Sequence, residues 1–388
     1  MTEAALPEVG VYVHWPYCAR ICPYCDFNVV RDRGRKDEPA SLAAAIVRDL
    51  TAQAEALGRR RLVSIFFGGG TPSLMDPAFA AEIIATARSC FDAAPDLEVT
   101  LEANPTDAEA GRFAAFRAAG VDRLSLGVQS LDDAELTFLG RNHDAAEARR
   151  AAAIAAKAFP RLSLDLIYAL PGQTPDAWRS ELAAALALDP EHISAYQLTL
   201  EPGTPFDRAV ARGRWAPPDE ALSAELYETT GEVLGAAGFE AYEVSNHARG
   251  VAARSRHNLI YWRGGDYLGV GPGAHGRITD NAARWATLTP RGIADYVARV
   301  DRDGCGLAER ARLTPLESAQ ERLLMGLRTV EGMSSAELQP LTIAAPTLAA
   351  LAEAGLIERR TDRLIATRAG RAVLDRVTLE LAQNASGV

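Results

Sequence analysis

The sequence holds no uninterrupted apolar run near the roughly 18 residues a membrane helix needs, so no membrane span is expected. Its first ten residues, MTEAALPEVG, contain neither a basic n-region nor an apolar h-region. No secretory signal is therefore expected, and the expected compartment is the cytoplasm. Basic charge is also short. Lys and Arg total 41 against 51 Asp and Glu, a net charge of −10, which argues against a general nucleic-acid binder. Only two of those 41 cations are Lys, a bias of the coding genome rather than 39 functional guanidiniums. Cysteine is scarce too. Five in 388 residues, an odd number, is not a disulfide framework.

What remains is the composition of a folded globule, 48% hydrophobic and 24% charged. At about 150 residues per domain, the length allows two or three domains, or one α/β barrel plus an appendage. The first two thirds alternate between short apolar runs and Ala-rich helical patterns. The runs Val9–Trp15, Leu62–Phe67, Leu97–Ala103, Arg123–Val128, Ser163–Ala169 and His192–Leu200 predict strands. Helices are predicted near 40–57, 77–91, 107–119, 144–158, 175–188 and 219–237. Such alternation predicts βα units on a parallel sheet, with chemistry at the C-terminal strand ends. The expected fold is α/β, a partial (β/α)6-type barrel with a small α+β, winged-helix-like C-terminal domain.

The expected units are 1–238 for the barrel, 239–305 for an extension rich in Gly, His, Tyr and Trp, and 306–388 for the C-terminal domain. In the last, Pro315–Val330, Ser334–Leu338 and Pro346–Ala354 read as short helices, and 355–370 as a hairpin turning at Thr361-Asp362. Ten Arg against nine Asp and Glu over 310–380 make a DNA-binding role for it improbable.

The predicted strand ends carry GGGTP at 68–72, Glu102-Ala103-Asn104-Pro105 and Gln129-Ser130. Asp165 stands inside an apolar run, where a carboxylate needs a partner. Three of the five cysteines, Cys18, Cys22 and Cys25, follow the first strand in a C-x3-C-x2-C spacing, while Cys90 and Cys305 stand alone as buried thiols. Three readings compete. A structural zinc ion wants four ligands, with only His14 near enough to be the fourth. Cys22-Pro23-Tyr24-Cys25 has the dithiol form of glutaredoxin-like proteins, which are far smaller and do not need Cys18. A 4Fe–4S cluster on three thiolates leaves one iron open for a substrate.

Strand one entering C-x3-C-x2-C, then GGGTP after strand two, resembles the radical S-adenosylmethionine (SAM) proteins. GGGTPSL, LEANP, RLSLGVQS, LGRNH, LDLIYALPGQT, ISAYQLTLEPGTPF and HNLIYW extend the likeness from about residue 9 to 280. Together they resemble the HemW-like heme chaperones, a family beside the oxygen-independent coproporphyrinogen III oxidases (HemN). The resemblance implies that Cys18, Cys22 and Cys25 hold a 4Fe–4S cluster whose open iron takes the amino and carboxylate groups of SAM. Tyr12, Tyr24, Gly69, Gly70, Thr71, Glu102, Gln129, Arg141 and Asp165 would then bind SAM. Cluster reduction would cleave the sulfonium C–S bond to a 5′-deoxyadenosyl radical.

The oxidases carry a further cysteine where this sequence has Phe27, which counts against coproporphyrinogen dehydrogenation, the alternative activity. An HNxxYW motif, here His257, Asn258, Tyr261 and Trp262, is tied to heme binding in the HemW-like proteins. It makes His257 the expected axial ligand, Trp262 a plane against the porphyrin, and Arg254, Arg256 and Arg263 partners for propionates. His275 is the second candidate ligand. His14, His143, His192 and His247 are assigned to packing or loop hydrogen bonds. The expected partners are heme and a heme-acceptor protein, with no nucleic acid.

Overall fold

The computed structural model describes residues 5–34, 37–383 and 385–387. The first four residues of the expected N-terminal reading lie outside them. Twelve strands share the main sheet. They are β1 Glu8–Trp15, β2 Arg61–Gly69, β3 Asp92–Ala103, β4 Arg123–Gln129, β5 Arg161–Tyr168, β6 His192–Gln197, β7 Glu240–Ala241, β8 Asn246–Ala248, β9 Asp266–Val270, β10 His275–Asp280, β11 Ala283–Leu288 and β12 Glu309–Arg312. Their order is β12-β11-β10-β9-β1-β2-β3-β4-β5-β6-β8-β7. From β9 to β6 every pairing is parallel. The ladder stays open, with β12 and β7 as edges, so the barrel is partial.

Strands covered on both faces need near-continuous apolar sequence. β1 meets that need with Val9, Val11, Val13 and Trp15 all buried. Helices cover the outer face. In α1, Asp37–Leu57, the residues Leu42, Ile46 and Leu50 repeat every fourth position and turn one stripe inward. α2, Pro77–Cys90, starts at Asp76, whose side chain accepts from the Ala78 N–H. α3, Ala145–Ala158, opens with an Asp144–Glu147 capping box and buries only alanines. α4, Pro175–Leu186, is capped by Thr174.

The expected strands and helices up to residue 237 are present, except that the expected helix 107–119 is two short helices, Asp107–Ala110 and Phe113–Ala118, the third strand starts at Asp92 rather than Leu97, and the sixth strand ends at Gln197 rather than Leu200. The stretch that breaks the alternation contributes β9, which lies beside β1 and extends the parallel sheet. It also contributes α5, Arg256–Trp262.

A second core gathers Leu323, Leu327, Met333, Leu364, Val377 and Leu381. It lies among α6, Pro315–Gly326, the helices Ala345–Glu353 and Leu374–Gln383, and the hairpin Ile357–Arg360/Arg363–Ala366. The hairpin turns at Thr361-Asp362 as expected, with Thr361 left-handed at φ 49°. Ser334–Leu338, expected as a helix, is not one. Met333–Ser334 pairs with the hairpin instead, and Glu337 accepts from the Ser334 N–H in the turn that follows. The last helix, Leu374–Gln383, was not expected.

Candidate functional site

The loop after β1 is tied to the loop after β2. The Gly70 and Thr71 N–H groups donate to Trp15 O and Tyr17 O, both at 2.8 Å. A Cβ on Gly70 would lie 2.7 Å from the Pro16 carbonyl carbon and the Tyr17 oxygen. One on Gly69, at φ 105°, would strike the His14 ring. These two glycines are therefore required by the protein's own backbone before any ligand is considered.

This framework presents the three thiols. Cys18 is buried, and the Thr71 hydroxyl donates to its sulfur at 3.6 Å. Cys22 and Cys25 form one turn, with the Cys25 N–H on Cys22 O at 3.2 Å. All five cysteines are free. Burial pushes the Cys18 thiol up to about 11 and raises that of Cys25. Among the described residues no group of three or more His, Cys, Asp or Glu converges as a single metal ion requires. A cluster that puts each thiolate on its own iron does not need that convergence.

Arg141 enters from the LGRNH turn after β4. Its Nη1 donates to Cys22 Sγ at 3.2 Å and to the Tyr24 hydroxyl at 3.5 Å, and its Nη2 to Gly127 O at 3.0 Å. It has no carboxylate partner among the described residues, and its Nε is buried without a hydrogen bond. A buried guanidinium facing thiols suits an anionic sulfur group.

Inside the barrel mouth, burial and Asp165 push Glu102 up to about 8, against one hydrogen bond from the Gly69 backbone. Asp165 has the partners its position requires, since Ser125 Oγ donates to it at 2.9 Å and Ser163 Oγ at 3.3 Å. Its carboxyl is still raised by burial. Gln129 ends β4 in the left-handed region at φ 66°, and its side-chain amide lies beside Gly127. Tyr12 donates to His14 Nδ1 at 3.0 Å, and His14 Nε2 donates to Asn28 O at 2.8 Å. That tautomer follows from burial, which keeps His14 neutral, and from the carbonyl, which can only accept.

The Glu102 proton has a stability consequence. A carboxyl near 4.5 unfolded and near 8 folded binds more protons when folded, so stability falls as pH rises through that window. Glu102→Gln is expected to stabilise the ligand-free protein by about 4 kcal/mol at pH 8 and by about 1 kcal/mol at pH 5. Urea melts at the two pH values check it, and an equal effect at both would refute it.

A cavity of about 850 Å3 runs outward from Tyr12, Gly69 and Glu102 to Tyr261, Trp262 and Tyr267. Phe27, 63% exposed, stands on its lip. His275 and Arg291 line it as well, and among the described residues Arg291 makes no ion pair.

The HNxxYW segment forms α5, with Ser255 as its N-cap. His257 and Tyr261 share one face, as i and i+4 must, and His257 Nε2 meets the Tyr261 hydroxyl at 2.6 Å. His257 Nδ1 meets Ser64 Oγ at 2.8 Å, and its ring stacks on Phe66 at 5.0 Å. Burial pushes its imidazole down to about 3, so it is neutral. The ring is 1% exposed and lies behind Tyr261, which does not fit the expectation that it reaches a heme iron directly. The flanking arginines are also committed within the protein. Arg254 pairs with Glu240, Arg256 with Asp96, and Arg263 with Glu331. They do not offer themselves to propionates.

Sequence reasoning missed Asn28, Tyr267 and Arg291. Only the fold brings them to the cavity. His14 carried a signal, because it falls two residues after Tyr12 on a strand and so shares its face. His143 and His192 make hydrogen bonds inside the fold, to Val128 O and to Ser163 and Tyr242.

Residues 12–183 match the model of the radical SAM superfamily, and residues 313–373 match the HemN C-terminal domain. The chain is 38% identical over 375 residues to "Heme chaperone HemW" of Mycobacterium tuberculosis, covering 96% of this chain and 94% of that one. The chain belongs to the HemW family of radical SAM proteins. A bovine relative, "Radical S-adenosyl methionine domain-containing protein 1, mitochondrial", is 43% identical over 395 residues, covering 96% of this chain and 87% of its own. The HemW family also shares its fold with coproporphyrinogen III oxidase (HemN) from Escherichia coli. That structure superposes with a TM-score of 0.79 at 22% identity, over 97% of this chain and 90% of its own. Membership of the radical SAM superfamily implies a 4Fe–4S cluster and SAM. Among the described residues no helix is long and apolar enough to cross a membrane.

Proposed function

We propose that this protein is a heme carrier that hands heme to an acceptor protein, with a 4Fe–4S cluster and SAM bound beside the heme. Cys18, Cys22 and Cys25 would hold the cluster. Arg141 would balance its charge, and Thr71 would orient the first thiolate. Tyr12, Tyr24, Gly69, Gly70, Glu102, Gln129 and Asp165 surround the barrel mouth, where the cationic sulfonium and ammonium of SAM meet two carboxylates. When bound, cluster and SAM supply one-electron reductive cleavage of the sulfonium. The three expected units, 1–238, 239–305 and 306–388, would then serve as cluster domain, heme wall and cover. The cytoplasm remains the proposed compartment, although the bovine relative is named as mitochondrial.

The observation that carries the heme reading is the cavity itself. It is open, largely aromatic on the side of Tyr261, Trp262 and Tyr267, and it is lined by Arg291, which makes no ion pair among the described residues. Its volume lies within the range of small-molecule sites, and an apolar plane with an anionic edge matches its lining. The three arginines next to HNxxYW are already paired, so Arg291 is the cation left for a propionate.

Titrating anaerobically reconstituted protein with heme should saturate near one heme per chain by the Soret band. Arg291→Glu should weaken binding about tenfold. Mixing the loaded protein with an apo-hemoprotein should transfer the heme. No saturable binding, together with conversion of coproporphyrinogen, would replace this reading with the dehydrogenase.

A further inference from the structure

We propose that the Tyr261 phenol oxygen is the axial ligand to ferric heme, and that His257 is a positioning residue that holds it. The inference rests on the heme reading above and deepens it.

Three observations carry it. First, His257 has no free nitrogen. Ser64 takes Nδ1 and Tyr261 takes Nε2, in a site sealed by Phe66. Freeing either nitrogen would leave a buried hydroxyl or ring nitrogen unpaired, at a cost of about 1–3 kcal/mol. Second, Tyr261 lines the cavity and its ring is fixed. It packs edge-on between His257, with centroids 4.8 Å apart, and Tyr267 at 4.5 Å. Third, the exposed imidazole on the wall lacks this support. His275 is exposed, and among the described residues its ring makes no hydrogen bond. Metal-bound imidazoles almost always donate their second nitrogen to a partner that orients them.

The chemistry is consistent with this geometry. Tyrosinate is a known axial ligand of heme iron, and an anionic oxygen suits the ferric state. On binding, an Fe–O bond forms, the phenolic O–H bond breaks, and one proton goes to bulk water. The iron stays ferric and no electron moves. His257 stays neutral throughout. Before binding, its proton sits on Nδ1 toward Ser64 Oγ, and Nε2 accepts from the phenol. Afterwards the proton sits on Nε2 and donates to the phenolate oxygen, while Nδ1 accepts from the Ser64 hydroxyl. A hydroxyl on each side of the ring lets either tautomer keep both hydrogen bonds. A partner of this kind fixes the ligand's direction and tunes its donor strength.

The test is resonance Raman spectroscopy of ferric-heme-loaded protein, with and without ring-deuterated tyrosine. Wild type should show iron-phenolate modes that shift on labelling. Tyr261→Phe should lose them, and its heme-free thermal melt should fall by only the few degrees that one unpaired buried ring nitrogen costs. His257→Ala should keep phenolate modes at a changed Fe–O frequency and bind heme about tenfold more weakly. Saturable heme binding without phenolate modes in wild type would overturn the ligand assignment alone. So would modes that survive Tyr261→Phe, or imidazole ligation abolished by His275→Ala or His257→Ala. No saturable binding by wild type would overturn the carrier reading and this one together.

Discussion

Cys22→Ser is expected to abolish the iron–sulfur centre. Anaerobic reconstitution of wild type should yield about four irons and four sulfides per chain, and the variant should retain under about one of each. In the proposed centre each thiolate would hold a different iron, so the loss of one would leave two irons of the four without protein ligands. Cys22 is also the thiol that receives the Arg141 guanidinium, so its loss leaves that buried cation facing a weaker acceptor. Cys18→Ser and Cys25→Ser should behave in the same way. Cys90→Ser and Cys305→Ser should not, because neither thiol lies in the loop that follows β1. Cys305 instead donates to Asp49 in a separate buried knot with Tyr296 and Gly306. Iron, sulfide and zinc analysis with low-temperature EPR of the reduced protein gives the answer. One tightly held zinc per chain in place of iron would sink the assignment.

Arg161→Ala is expected to destabilise the fold by about 3–5 kcal/mol, because it breaks a buried ion pair on one side only. Glu98 is fully buried, and Arg161 Nη1 sits 2.7 Å from its carboxylate. The same guanidinium reaches Glu191 at 2.7 Å and Arg254 O at 3.1 Å. Burial alone would raise the Glu98 carboxyl, but Arg123, Arg161 and the N–H groups of Arg256 and His257 hold it below its ordinary value. Glu98 therefore closes the N-terminus of α5 from across the sheet, at 3.1 Å from both amides. A depressed carboxylate contributes stability above its unfolded pKa and loses it as pH falls through the lower folded value. The difference between wild type and variant in urea melts should accordingly be full at neutral pH and shrink in acid. The double variant Glu98→Gln/Arg161→Met should recover much of the loss, since no charge is then left unpaired. A single-variant cost below about 1 kcal/mol would show that water or Arg123 already compensates Glu98.

The two regions differ in how far they could be read from residues alone. Local rules located the barrel. Asp76-Pro77, the Asp144–Glu147 box and Thr174-Pro175 start helices by chemistry confined to four residues. The apolar run of β1 announces a strand covered on both faces. Cys18, Cys22 and Cys25 needed no fold to be singled out, because their spacing lies within one loop. The Ser64–His257–Tyr261 chain could be only half seen. The helical step from 257 to 261 is local, but Ser64 stands 193 residues away and is brought in by the packing of α5 on β2. A separation of 63 residues likewise hid the Glu98–Arg161 pair. The ion pairs of Arg254, Arg256 and Arg263 were hidden for a related reason. Sequence gives an arginine's place on a helix but not the carboxylates that other segments bring to it. Ser334–Leu338 failed locally: Gly332 at φ 62° and the Ser334–Glu337 turn start a strand and a bend where a capped helix was expected.

The segment Asp26-Phe27-Asn28 belongs to two sites at once. It leaves the cysteine loop one residue after Cys25, and it ends with Asn28 donating to Pro272 O and Arg291 O, 2.9 and 3.0 Å away, while Phe27 stands on the cavity lip. Whatever ordering a cluster on the cysteine loop would impose on that stretch would therefore be imposed on the lip of the cavity. By linkage the influence runs both ways with equal free energy. On the proposed reading, a carrier built this way would sense its own maturation: cargo affinity would report whether the inorganic centre has been installed, and cargo would in turn protect the centre.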